Sequence, residues 1–181
     1  MNKPKIRRPN ISILGSYQAT HEETSLAYDL GSQLANMSLN VISGGQKGVM
    51  HSLCKGLHEN RIAISNESCT IVGILPSQDF LPGNEYLDIA IPTGFGAIQN
   101  SILPLCADVV IAIGGAGGTL TELSFAWQYK KPIALIGSTG WSSKLAGQRL
   151  DERRIETLPH FMSVVEVVDW VKQTLKHHAL M

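Results

Sequence analysis

Between Ala107 and Glu122 an apolar run, Ala-Asp-Val-Val-Ile-Ala-Ile, meets Gly114-Gly115-Ala116-Gly117-Gly118 and passes directly into a helical pattern at Thr119-Leu120-Thr121-Glu122. A buried strand that ends in a glycine cluster and starts a helix makes a tight turn of a particular kind. The glycines remove side chains where a ligand could approach the backbone, and the first turn of the helix presents unpaired N–H groups with partial positive charge. That combination suits an anion, phosphate above all. A single glycine would signify only a strand-to-helix turn; four of them in five positions point to a ligand.

The rest of the chain repeats the strand–helix unit. Strands are expected at Ile11–Leu14, Val41–Ser43, Thr70–Leu75, Tyr86–Ile91, Asp108–Ile113 and Ile133–Ile136. Helices are expected near 22–37, 48–60, 97–106, 119–130 and 142–150, with a final amphipathic helix at about 164–177. This rhythm predicts an α/β fold of the Rossmann-like, doubly wound type: a mainly parallel sheet with helices on both faces. No repeat, low-complexity tract or long linker divides the chain, so residues 1–181 are expected to form a single domain. The loop Pro76–Glu85 is the longest irregular piece, either a lid or a plain surface loop.

The composition narrows the function. With 15 Lys+Arg against 15 Asp+Glu the net charge is zero, so no long-range field gathers nucleic acid or an anionic membrane, and an anion must be caught locally. The basic start, Lys3 to Arg8, is followed by too few apolar residues for a signal peptide or a membrane span, and a cytoplasmic protein is expected. Cys54, Cys69 and Cys106 are odd in number and widely spaced, as reduced, packed thiols are. His51 and His58 can share a helix face but have no acidic partner at ligand spacing, so no metal site is expected.

Glycines mark four strand ends: Gly15-Ser16, Gly44-Gly45, Gly94-Phe95-Gly96 and Gly114–Gly118. In a parallel sheet the carboxyl ends of the strands share one edge, so these loops should converge on one nucleotide-sized crevice. Two familiar motifs are excluded. Ser43-Gly44-Gly45-Gln46-Lys47-Gly48 and Gly115-Ala116-Gly117 both depart from G-x-G-x-x-G, and Gly48 is followed by Val49-Met50 rather than by the Lys-Ser/Thr of a Walker loop. The G-x-x-G of Gly45–Gly48 is compatible either with an anion site or with strand–helix packing.

Three segments together resemble the Lonely Guy family, whose members are often mislabelled lysine decarboxylases, and within it the branch similar to molybdenum-cofactor carrier proteins. They are Ser43–Met50, Ile91-Pro92-Thr93-Gly94-Phe95-Gly96, and Gly114–Thr119 with Glu122. The resemblance implies a Rossmann-like homodimer or homotetramer that binds a small phosphate-bearing ligand, a nucleoside monophosphate or a molybdopterin-type cofactor. It does not imply a decarboxylase. In the cytokinin-activating members the glycine motif P-G-G-x-G-T-x-x-E and an upstream M-x-x-R-K serve hydrolysis of an N-glycosidic bond. On this chain the motif's last glycine, threonine and glutamate fall on Gly118, Thr119 and Glu122, Gly114 replaces the proline and Ala116 the second glycine. At unchanged spacing the arginine falls on Gln99 and the lysine on Asn100. A guanidinium that would hold a leaving or phosphate group through paired charged hydrogen bonds, each worth roughly 1.5–3 kcal/mol, is therefore missing. Lys47, Arg149, Arg153 and Arg154 are the cations that another loop could bring to the cleft.

The leading expectation is a binding or carrier protein, with Gly15, Ser16, Gly44, Gly45, Gly48, Met50, Thr93, Gly94, Gln99, Asn100, Gly115, Gly117, Gly118, Thr119 and Glu122 in contact with the ligand. One alternative is a nucleoside 5′-monophosphate phosphoribohydrolase in which Glu122 is catalytic. Another is a nucleotide-sensing subunit of a larger assembly. Thr119 and Glu122 also have the spacing of a capping box, in which the glutamate would serve the helix and not a ligand. Phe125, Trp127 and Tyr129 exceed what one helix needs for its own core, and a subunit interface is expected to take some of them.

Overall fold

A computed structural model describes residues 7–177; the two ends of the 1–181 span, with Lys3 and Lys5 of the basic start, lie outside the described residues. Seven strands form one sheet in the order β4-β3-β2-β1-β5-β6-β7, and every neighbouring pair is parallel. They are β1 (Asn10–Gly15), β2 (Leu39–Ser43), β3 (Cys69–Leu75), β4 (Ile89–Pro92), β5 (Val109–Ile113), β6 (Ile133–Ile136) and β7 (His160–Phe161). The α-helices among the described residues are α1 (His21–Leu34), α2 (Val49–Ala63), α3 (Gln99–Cys106), α4 (Gly117–Gln128), α5 (Gly140–Lys144) and α6 (Val164–His177).

Alternation along β1 divides the core. Ile11 and Ile13 point to the face covered by α1, α2 and α6, whereas Leu14 points to the face covered by α3, α4 and α5. Every residue of β5 is buried, as a central strand covered on both faces requires. On the first face Val167, Val168, Val171 and Leu175 of α6 bury one side of that helix, each such side chain contributing roughly 1.5–3 kcal/mol against exposure. α1 and α2 approach closely because Gly31 faces the Leu53 carbonyl and Gly56 faces the Tyr28 carbonyl, where a Cβ would collide with the opposing backbone.

Three elements depart from the sequence expectation. β4 begins at Ile89, not Tyr86, because the Asp88 side chain accepts from the Ile71 N–H at 2.8 Å and from Arg61, so a carboxylate takes the place of a strand carbonyl. The helix expected over 142–150 covers only Gly140–Lys144. Gly147 turns with φ +69° and its N–H donates to Leu158 O at 2.9 Å, which carries the chain away toward β7. β7 itself has two residues, too few to leave a periodic signal.

Candidate functional site

The sheet order reverses between β1 and β5: from β1 the chain winds outward through β2, β3 and β4, then crosses back to β5 on the other side. Loops leaving these two strands diverge onto opposite faces, and a crevice opens at their carboxyl ends. It holds a cavity of about 200 Å³. Gly15, Ser16 and Tyr17 line it from the end of β1, and Gly44, Gln46 and Met50 from the β2–α2 turn. Gln99, Asn100 and Leu103 of α3 and Ala116, Gly118, Thr119 and Glu122 at the start of α4 complete the wall.

Of the residues expected to touch ligand, the fold thus brings Gly15, Ser16, Gly44, Met50, Gln99, Asn100, Gly118, Thr119 and Glu122 onto one cavity. Gly48 lines an adjoining cleft instead. Thr93 and Gly94 line neither: the Thr93 hydroxyl donates to Leu75 O at 2.8 Å and the Gly94 N–H to Ser77 O at 2.8 Å, closing the turn after β4. Gly45, with φ +65°, packs against Gly73, and Gly115, with φ +102°, backs onto the Thr119 side chain. A Cβ at Gly117 would meet nothing within 4 Å, so the loop stands open at that point.

The helix that faces the crevice starts three residues earlier than a capping box requires. α4 begins at Gly117, with Ala116 as its N-cap and no side chain satisfying the first N–H groups. Thr119 is therefore inside the first turn, and Glu122 one turn farther on, so the capping-box alternative for this pair is wrong. Glu122 is 8% exposed, and among the described residues no hydrogen bond or ion pair reaches its carboxyl group. Burial pushes that group up to about 8. Gln99 is equally buried, and its Oε1 has no hydrogen-bond partner. The cavity thus contains three buried polar side chains, Gln99, Thr119 and Glu122, that have no side-chain hydrogen bond among the described residues.

A true capping box does form at α1, where Glu23 N–H donates to Thr20 Oγ1 at 3.2 Å and Thr20 N–H to Glu23 Oε2 at 2.9 Å. Glu23, 4% exposed, also accepts through Oε1 from Ser16 Oγ at 3.1 Å and from Thr139 Oγ1 at 2.8 Å. Ser16 Oγ in turn accepts from the Gly115 N–H at 3.0 Å. One carboxylate thereby fixes the loops after β1, β5 and β6. Glu23 was not among the expected site residues, although Thr20-x-x-Glu23 carried the signal in plain sequence.

Tyr17 and Gln46 also line a second, larger cleft of about 760 Å³, with Lys47, His51 and Glu85 on its other walls. His51 Nε2 lies 3.4 Å from Glu85 Oε1, and no carboxylate among the described residues pairs with Lys47. The loop Pro76–Glu85 supplies one wall, and Asn84 ties it to the Gly45 carbonyl at 3.1 Å. The other candidate cations lie elsewhere: Arg153 pairs with Asp151 at 3.2 Å, and Arg154 sits over the Trp127 ring and donates to Lys131 O at 2.9 Å.

Comparison with known proteins agrees with this architecture. A molybdenum cofactor binding protein from Rippkaea orientalis has a similar structure, with a TM-score of 0.81, 31% identity, and coverage of 94% of this chain and 99% of that one. The molybdenum cofactor carrier protein of Chlamydomonas reinhardtii gives a TM-score of 0.76 at 30% identity, over 94% and 99% of the two chains. An uncharacterized protein of Archaeoglobus fulgidus is 31% identical over 126 residues, 70% of this chain and 78% of that protein. Residues 8–167, nearly the whole described chain, match the SLOG cluster4 family, and the chain belongs to that family.

Proposed function

We infer that this protein binds and carries a phosphate-bearing small molecule of molybdopterin or nucleotide type in the cytoplasm, without nucleic acid. The observation that carries the reading is the cavity at the switch point, where buried Gln99 and Glu122 lack partners and the α4 N-terminus has no side-chain cap. Its likeness to solved structures named for molybdenum cofactor binding and carrying, over almost their full length, supports the cofactor class. Phosphate at the N–H groups of Gly117 and Gly118 gains the helix-end field. The expected ligand set includes AMP and pterin phosphates. Calorimetry with these ligands should show binding to wild type and none to Gly117→Asp. The new carboxylate would stand in open space, leaving the fold intact, but would repel phosphate. Equal affinity in the two proteins would remove the glycine loop from the site. Mass spectrometry of small molecules released from the purified protein identifies the natural occupant.

The same reading includes a homodimer or homotetramer. Trp127 is only 1% exposed and belongs to the core, but Phe125 and Tyr129 stack at 5.9 Å on the outer side of α4, and Leu105 of α3 is more than half exposed. Sedimentation should give a dimer or tetramer at micromolar concentration; a monomer would overturn this part.

One observation favours hydrolysis of a nucleoside 5′-monophosphate as the second reading. A buried Glu122 carboxyl, raised to about 8, holds a proton at neutral pH and could deliver it to a departing base. With Gln99 where an arginine stands in the hydrolases, wild type is expected to release little adenine from AMP. Strong release that disappears in Glu122→Ala would replace the carrier reading by the enzymatic one.

A further inference from the structure

The 200 Å³ cavity is smaller than the 300–1,000 Å³ of a site that swallows a whole drug-sized ligand, so it takes one ring system or one sugar, and the remainder lies in the adjoining cleft. Its walls distinguish these two guests. Met50, Leu103 and Leu14 present a thioether and branched apolar carbons, all 9% exposed or less, which suit the faces of a flat heterocycle and offer nothing to a sugar's hydroxyls. Of the buried polar side chains on the cavity's lining, Ser16 is bonded to Glu23 and to the Gly115 N–H, whereas Gln99, Thr119 and Glu122 have no side-chain partner among the described residues, and Gln99 and Glu122 carry the amide and carboxyl acceptors. Gln99 Oε1 is buried without a donor, and no donor among the described residues reaches Glu122. Two unfilled acceptor groups between apolar walls ask for a ring edge that donates hydrogen bonds.

We propose that Gln99 and Glu122 recognise the exocyclic amine of a 2-aminopyrimidine-type ring edge, as a pterin or guanine carries, and so determine which heterocycle the cleft accepts. The assignment rests on the carrier reading above and deepens it. An exocyclic amine supplies donors for both acceptors. The protonated Glu122 carboxyl pairs with such an edge as well as the ionised one does: its carbonyl oxygen accepts from the amine while its hydroxyl donates to the adjacent ring nitrogen, whereas the carboxylate accepts from the amine and a ring N–H. The phosphate end of the ligand is left to the α4 N-terminus. Gln99 thereby acquires a role of its own where the hydrolases carry arginine, since a guanidinium has no acceptor for an amine.

Three probes test this: pterin, lumazine, which is the same bicycle with oxygen in place of the 2-amine, and ribose 5-phosphate, each titrated into wild type, Gln99→Met and Glu122→Met. Wild type should bind pterin about a hundredfold more tightly than lumazine, the size expected when two acceptors, each worth about tenfold, lose their donor. In each variant the preference should fall to about tenfold, the share of the acceptor that remains, while ribose 5-phosphate affinity changes by less than about threefold. Equal affinity of wild type for pterin and lumazine overturns the proposal without recourse to any variant, as does a preference that neither substitution reduces. Binding of ribose 5-phosphate with neither bicycle also overturns it but leaves the phosphate reading standing. If none of the three probes binds, the carrier reading itself falls.

Discussion

Replacing Glu122 by glutamine should make the protein more stable, and by an amount that grows as pH rises. Glu122 is 8% exposed and receives no hydrogen bond among the described residues, and burial raises it from its ordinary 4.5 to about 8. The folded state therefore holds this proton more tightly than the unfolded state does. Its contribution to stability is fully present below pH 4.5, shrinks as pH rises, and is gone above about pH 8. At about 1.4 kcal/mol per tenfold change, the loss between those limits is about 5 kcal/mol, with about 3 kcal/mol of it already incurred at pH 7. That is a large part of the 5–15 kcal/mol of a typical domain. Glutamine preserves the shape and cannot ionise; alanine would add a cavity cost and obscure the effect. Urea unfolding of wild type and Glu122→Gln at pH 5, 7 and 9 isolates the group, because carboxylates such as Asp88 and Asp108 titrate in both proteins and cancel. The advantage of the variant should be near its minimum at pH 5 and grow by several kcal/mol by pH 9. A difference constant to within about 0.5 kcal/mol across that range would show that water or an unseen partner solvates Glu122, and the account of a dry, unpaired carboxyl would fail.

Glu23→Gln should cost about 2–4 kcal/mol in urea unfolding, because the amide end must face one of three donors, Ser16 Oγ, Thr139 Oγ1 or Thr20 N–H; a loss below about 0.5 kcal/mol would remove Glu23 from its place as the clamp of the loops. Gly114→Ala should cost at least about 3 kcal/mol in thermal unfolding, since φ is +60° and the new Cβ would stand on the Glu23 carboxylate. Gly117→Ala, with open space and an ordinary φ, should stay within about 1 kcal/mol of wild type. Asp108 is pulled upward by burial, but hydrogen bonds from Arg7 and the Asn10 N–H and the Arg7 charge outweigh that and hold it below the usual carboxylate range. Its contribution is therefore present at neutral pH and lost as pH falls through that depressed value, so Asp108→Asn should be less stable than wild type at pH 7 and converge with it in acid.

The strand–glycine–helix segment at 107–122 and the repeating β-α units were enough to predict a parallel sheet with a cleft at its carboxyl edge, because periodicity and glycine clustering are local signals. The strand order was not legible in the same way. Which side of β1 the chain returns to after β4 is decided by how α3 packs beside α4 on Leu103, Leu123 and Ala126, contacts between residues distant in sequence. Nor does sequence distinguish a glycine that clears room for a ligand from one that the backbone needs. Gly45, Gly48, Gly114 and Gly115 all have positive φ and close neighbours, whereas Gly117 and Gly118 are uncrowded and carry neither mark. The clusters looked alike only because glycine has no side chain to reveal its reason.

The two Thr-x-x-Glu segments make the same point with opposite results. At Thr20–Glu23 the threonine lies just outside α1 in extended conformation, the box closes, and the glutamate has charge left over to bind Ser16 and Thr139. At Thr119–Glu122 the spacing is identical, but Gly117 and Gly118 allow the helix to start before the threonine, so the cap position passes to Ala116, which has no oxygen to offer. The N–H groups of α4 stay uncapped, and Glu122 turns into the cavity without a partner. The two outcomes are linked, because Glu23 holds Ser16 and Ser16 holds the Gly115 N–H. The satisfied glutamate positions the glycine loop, and that loop leaves the second glutamate and the second helix end unsatisfied. A protein that capped both helices would gain stability and lose the site.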